Sequence, residues 1–160
     1  MIKSKITITG LVTALAVTAI PAQAAISPFL AMAGRWSGGG ILRMADGEQE
    51  RLRCRAFYDI AERGDDLRLN LRCASASYNF DLAGDVQYRD GGISGEWTEA
   101  SRNASGVISG RAAGDHVEAE ARGQSFSASL SLTTRGNRQI VSIRPEGTDV
   151  RAVSLALDRY

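Results

Sequence analysis

Aromatic residues make up only 6% of this 160-residue chain, and it holds one histidine, two cysteines and three prolines. One imidazole and two thiols fall short of the four ligands of a structural zinc site, so no metal is expected. Lys3 and Lys5 are the only lysines. Lysine-base and Schiff-base chemistry is therefore excluded from everything beyond residue 24. No G-x-x-x-x-G-K phosphate cradle and no G-x-S-x-G nucleophile elbow occurs. A formal net charge of +1 lacks the basic excess of a protein that neutralises nucleic-acid phosphates. No apolar run reaches the roughly 20 residues of a membrane-spanning helix.

What remains is ordinary in bulk. Hydrophobic residues at 44% and charged residues at 23% describe a globular chain of one-domain length. Its beginning has a secretory pattern. Lys3 and Lys5 precede a short apolar stretch, Gly10 to Ile20, and Ala22-Gln23-Ala24 is an A-x-A cleavage site. Residues 1–24 are thus expected to be a signal peptide and 25–33 an apolar lead-in, with a single domain over 34–160. The expected location is the periplasm, where cysteines are oxidised.

Beyond Ala25 no period near 3.6 is sustained. Period-two alternation recurs between Gly, Asn and Asp breakers. It predicts strands at Trp36–Met44, Glu50–Ile60, Leu67–Ala74, Tyr78–Leu82, Val86–Tyr88 and Ile93–Thr98. Further strands are expected at Gly106–Arg111, His116–Ala121, Ser125–Thr133, Arg138–Arg144 and Val150–Leu157. Connections this short make neighbours antiparallel, because a parallel crossover needs about a dozen residues. The expected fold class is all-β, an antiparallel up-and-down barrel of about 8–10 strands. Closure removes the adhesive edges of a sheet.

The hairpin around Arg63-Gly64 is specified twice over. Leu52, Cys54, Ala56, Tyr58 and Ile60 share one face, as do Leu67, Leu69, Leu71 and Cys73. Folding about the turn pairs Ile60 with Leu67 and sets Cys54 opposite Cys73. The turn is a two-residue loop or a four-residue loop over Glu62–Asp65; four is preferred, because it puts the cysteines in a non-hydrogen-bonded pair, where side chains lie closer. A disulfide between Cys54 and Cys73 is therefore expected. The opposite face carries Arg51, Arg53, Arg55, Arg68 and Arg72, with Arg55 across from Arg72. Like charges so placed repel, and the expectation is a solvated face balanced by Glu50, Asp59, Asp66 and water, in preference to a site for an anion such as a ligand phosphate or lipopolysaccharide. Gly38-Gly39-Gly40 inside a strand marks a bulge or a close backbone approach. Ile93-Ser94-Gly95 recurs as Ile108-Ser109-Gly110.

Ala33-Gly34-Arg35-Trp36-Ser37-Gly38 gives a G-x-W entry to the first strand. This resembles the calycin superfamily, which includes lipocalins and avidins. The resemblance implies that Trp36 closes one end of a barrel and that Gly34 permits a tight approach of the chain. Gly95-Glu96-Trp97 repeats the pattern, while a T-D-Y-like segment and a late arginine motif are not evident. In size and in its one cystine the chain is also similar to small bacterial protease-inhibitor barrels. As a whole it resembles small exported proteins of rhizobia and related alphaproteobacteria.

These readings converge on a non-enzymatic periplasmic barrel that binds a small apolar or amphipathic ligand, or an envelope protein. Trp36, Tyr58, Phe80, Trp97 and Phe126 are the candidate interior aromatics, with no cofactor. His116 follows Asp115 beside a turn and is read as an exposed strand-end residue rather than a catalytic base. Two other functions fit the composition. An inhibitor of a protease or lytic enzyme would use the lead-in, whose competing role is a plug across one barrel end. An outer-membrane barrel would turn Phe126, Ala128, Leu130 and Leu132 to lipid and Ser125, Ser127, Ser129 and Ser131 to its lumen.

Overall fold

The computed structural model describes residues 26–160; the expected signal segment, residues 1–24, lies outside the described residues. A short 3-10 helix, Pro28–Met32, leads into ten strands. They are β1 (Gly34–Met44), β2 (Gln49–Ile60), β3 (Asp66–Ala74), β4 (Asn79–Arg89), β5 (Gly92–Glu99), β6 (Ala104–Ala113), β7 (His116–Gly123), β8 (Ser127–Arg135), β9 (Arg138–Glu146) and β10 (Val150–Arg159). Each strand pairs antiparallel with the next, and β10 returns to β1, so the meander is a closed up-and-down barrel. The expected fold class is observed.

The β2–β3 hairpin forms in the expected register. The Ala61 amide donates to the Asp66 carbonyl, leaving a four-residue loop at Glu62–Asp65. Cys54 faces Cys73 and the two are disulfide-bonded, with Cα atoms 4.1 Å apart. That spacing belongs to a non-hydrogen-bonded pair. Both cysteines are buried in the barrel wall beside Leu52 and Ala56. Of the outer-face arginines, the two on β3 find partners on β4 rather than on their own hairpin: Arg72 Nε lies 3.1 Å from Asp81 and Arg68 Nε 3.4 Å from Asp85.

One expected boundary fails. Tyr78–Leu82 and Val86–Tyr88 are a single strand, β4, because Gly84-Asp85 does not break it. Gly84 is buried and sits in the ladder between Leu69 and Trp97, so pairing on both sides carries the strand through it. The strand expected from Ser125 begins at Ser127, and Phe126 belongs to the preceding turn. The twin Ile-Ser-Gly triplets prove to be cross-strand partners. Ile93 faces Gly110 and Gly95 faces Ile108, so each large side chain meets a vacancy.

Curvature comes from glycine at close approaches. A Cβ on Gly38 or Gly40 would collide with the carbonyls of Ala156 or Ser154 on β10. Only glycine lets β1 bend that tightly against its closing neighbour.

The barrel has a filled floor. The 3-10 helix presses Phe29 and Met32 into the end that also holds Tyr88, Leu67 and Leu157, all buried. The Phe29 and Tyr88 ring centroids are 5.9 Å apart. Ser27 both caps the helix, by accepting from the Phe29 amide, and donates to the Gly64 carbonyl. Inward side chains are mostly apolar, Gln139 and Thr134 excepted, and outward ones mostly polar, Phe57, Val107 and Ile140 excepted, the polarity of a barrel whose outer face meets water. A lipid-facing barrel would reverse it.

Candidate functional site

The five candidate aromatics separate into two groups. Trp36 and Tyr58 belong to the floor. Trp36 is fully buried, and its indole donates to the Met32 carbonyl at 2.8 Å. It therefore packs the barrel end, as the resemblance implies. Gly34, at φ +108°, makes the turn into β1 that this approach needs. Tyr58 is also buried, and its hydroxyl donates to Gln139 Oε1 at 2.8 Å. Gln139 Nε2 in turn donates to Thr134 at 3.1 Å. Burial pushes the Tyr58 hydroxyl far above its ordinary value, so it stays a neutral donor.

Trp97, Phe126 and Phe80 line the upper wall. Trp97 and Phe126 meet edge to face with centroids 5.1 Å apart, and the Trp97 indole donates to the Val107 carbonyl. Phe80 stands on β4 beside the cystine, in register with Cys73, and its ring lies 4.8 Å from that of Tyr78. The structure thus brings Trp97 and Phe126 together, while Trp36 and Tyr58 stand apart from them in the floor.

Burial changes along the wall. On β3, Leu67 at the floor is 4% exposed, whereas Leu69 and Leu71, on the same inward face, are only half-buried. Arginine flanks all three positions or their neighbours, so outside shielding does not account for the difference. Phe80, Leu82, Ile108, Leu130 and Ile143 repeat the half-burial on strands β4, β6, β8 and β9. On β10, β1 and β2 the inward residues Leu155, Leu42 and Leu52 are buried throughout. The result is an apolar wall, dense on β10, β1 and β2 and half-covered on the opposite side, where Cys73, Trp97 and Ala128 are the buried exceptions.

That rim is held by two carboxylates. Glu50 accepts from the hydroxyls of Ser75 and Ser77 and from the Ser77 amide, which ties the β3–β4 loop to β2. These donors, the Ser75 hydroxyl foremost, hold its carboxyl below the usual range. Glu99 accepts from the amides of Asp81, Ser101 and Arg102. Burial pushes the Glu99 carboxyl up, but the donated hydrogen bonds outweigh it and leave the group below its ordinary value. Arg102 then reaches the Asn79 carbonyl and stacks over Tyr78, 4.1 Å from the ring centroid.

Several working residues carry no sequence signal of their own. Arg159 lies 4.5 Å over the Trp36 ring and donates to the carbonyls of Ala31 and Ala33. It seals the floor from below. Gln139 shares its inward phase with Val141 and Ile143, and that parity is the only clue to its burial. His116 lies on the outer face between the Thr133 hydroxyl, 3.0 Å from its Nδ1, and Glu118 Oε1, 3.3 Å from its Nε2. Among the described residues no group of three or more His, Cys, Asp or Glu side chains is arranged to hold a metal. None of their helices is long and apolar enough to cross a membrane.

No family model matches this chain. No curated protein matches it either. Among solved structures it is similar to the crystal structure of Rv2717c from M. tuberculosis, with a TM-score of 0.64 and 15% sequence identity. The match covers 84% of this chain and 94% of that one. At that identity the likeness establishes a shared ten-strand barrel fold.

Proposed function

We propose that this protein is a non-catalytic binding barrel that admits a small apolar or amphipathic molecule from the rim. The observation that carries the reading is the incomplete burial of one side of the wall: Leu69, Leu71, Phe80, Leu82, Leu130 and Ile143 face inward yet are not fully covered. Barrels of this kind hold a ligand when side chains leave room between the walls. Trp97 and Phe126 flank that space and report on it. The buried cystine supports an oxidising, exported setting, and hence the periplasm.

The reading is tested by native mass spectrometry of gently purified protein, paired with Trp97 fluorescence during titration of an apolar dye. Co-purified mass, or a saturable change lost in Leu71→Arg, is the expected result. A bare mass with no dye response sinks it. Inhibition of a protease through the lead-in is less well supported. Phe29 and Met32 are already spent on the floor, and Arg159 holds the segment's carbonyls.

A further inference from the structure

A closed barrel has no free sheet edge, so any association of this molecule must use its faces. The outer face of β2 is electrically lopsided. Its outward row runs Arg51, Arg53, Arg55, Phe57, Asp59 toward the floor. Among the described residues none of these three arginines has a carboxylate partner within salt-bridge distance. Arg53 stands between Gly39 and Ala74, with no bulk on either side. Beyond Phe57 the sign reverses. A trough of about 720 Å³ opens on the outside of β2 to β5, lined by Asp59, Asp66, Asp85 and Glu96 against one cation, Arg68. Phe57 lies between the two halves and is 38% exposed, with Arg35 beside its ring.

We infer that this bipolar face pairs with the same face of a second copy, in an antiparallel, two-fold arrangement centred on Phe57. The register decides the contacts. Rotation about an axis through Phe57, lying in the face and across the strands, sets Arg55 against Asp59 of the second copy. It sets Arg53 at the level of Ala61, whose ladder partner is Asp66. Each basic row then projects into the other copy's acidic trough, and Phe57 meets Phe57. A patch that is its own complement is what a two-fold interface requires. Four strands at about 4.8 Å spacing give a face of roughly 500 Å² in projection. That is below the about 800 Å² per partner of a standard stable interface, so the dimer is weak and electrostatic.

The test uses protein expressed as the full chain and purified as the cell processes it. Sedimentation velocity at increasing concentration, in low salt and in about 0.5 M NaCl, reads the association directly. The expected result is a dimer that weakens at least about tenfold in high salt, a shift that screening of exposed charges predicts. Arg53→Glu with Arg55→Glu makes both halves acidic, and Asp59→Arg with Asp66→Arg makes both basic. Each double variant is expected to be monomeric and an equimolar mixture of the two to form a heterodimer. Circular dichroism shows whether each variant keeps its strands. If a reversal variant does not fold, the milder Arg53→Gln with Arg55→Gln takes its place and must weaken the dimer. A wild type that stays monomeric in low salt, a dimer indifferent to salt and charge reversal, or folded variants that stay apart on mixing would overturn the inference.

Discussion

Single side chains at the floor carry polar work in an apolar place. Tyr58, Gln139 and Thr134 form a buried chain of hydrogen bonds, and breaking one link strands the next group. Tyr58→Phe is expected to cost about 1–3 kcal/mol in urea unfolding, because Gln139 Oε1 is left without its donor. Pairing that change with Gln139→Leu removes both polar groups, and the double variant is expected to recover part of the loss. Arg159 adds a cation whose Nε has no hydrogen-bond partner among the described residues, while its other nitrogens serve the lead-in. Arg159→Lys keeps the charge but loses the planar stack on Trp36, so it is expected to melt at lower temperature than the wild type. The part played by Arg159 was hidden in the sequence because its contacts span the length of the domain. That of Trp36 was visible through the G-x-W pattern at the entry to β1.

At the scale of elements, the β2–β3 hairpin shows when sequence suffices. Polarity and cysteine position there agree on one register, and a slip by one residue would reverse every side chain. The cystine closes a sequence separation of 19 residues. Replacing both cysteines by serine is expected to lower stability by about 3 kcal/mol on the chain-entropy account, measured by denaturant unfolding against wild type. Strand β4 shows the opposite case. Gly84-Asp85 has the composition of a turn, yet it is paired with Leu69 and Arg68 on β3 and with Trp97 and Glu96 on β5, and that pairing carries the strand through. Local composition cannot report a neighbour that lies on another strand. The half-burial of the inner wall was invisible for the same reason, since alternation gives the facing of a residue and not the distance to what it faces. The glycines of β1 give a further expectation. Gly40→Val is expected to abolish soluble expression or lower the melting temperature sharply, because its Cβ would meet the Ser154 carbonyl.

Across the whole molecule, titration sets a window of stability. Glu50 and Glu99 are held below their ordinary values in the fold. Their contribution is present above the unfolded carboxyl value of about 4.3 and fades as pH falls from there through the folded values. Tyr58 is pushed the other way, so its contribution is intact below an unfolded value of about 10 and fades as pH rises beyond it. Thermal melts are expected to be flat between these limits, and Tyr58→Phe is expected to remove the alkaline decline while leaving the acid one. The rim loops, held by the two carboxylates, are expected to lose hydrogen-exchange protection first on acidification.

The pairing of β10 with β1 also governs how the chain arrives at its form. Trp36 meets Arg159 in that ladder, so β1 gains its second partner only when β10 is in place. A nascent chain short of Val150 carries two open edges and half a floor. The nine hairpin pairings are local and quick, but this seam joins residues more than a hundred positions apart and sets the slow step of folding. A polypeptide built this way closes only when its most distant strands meet.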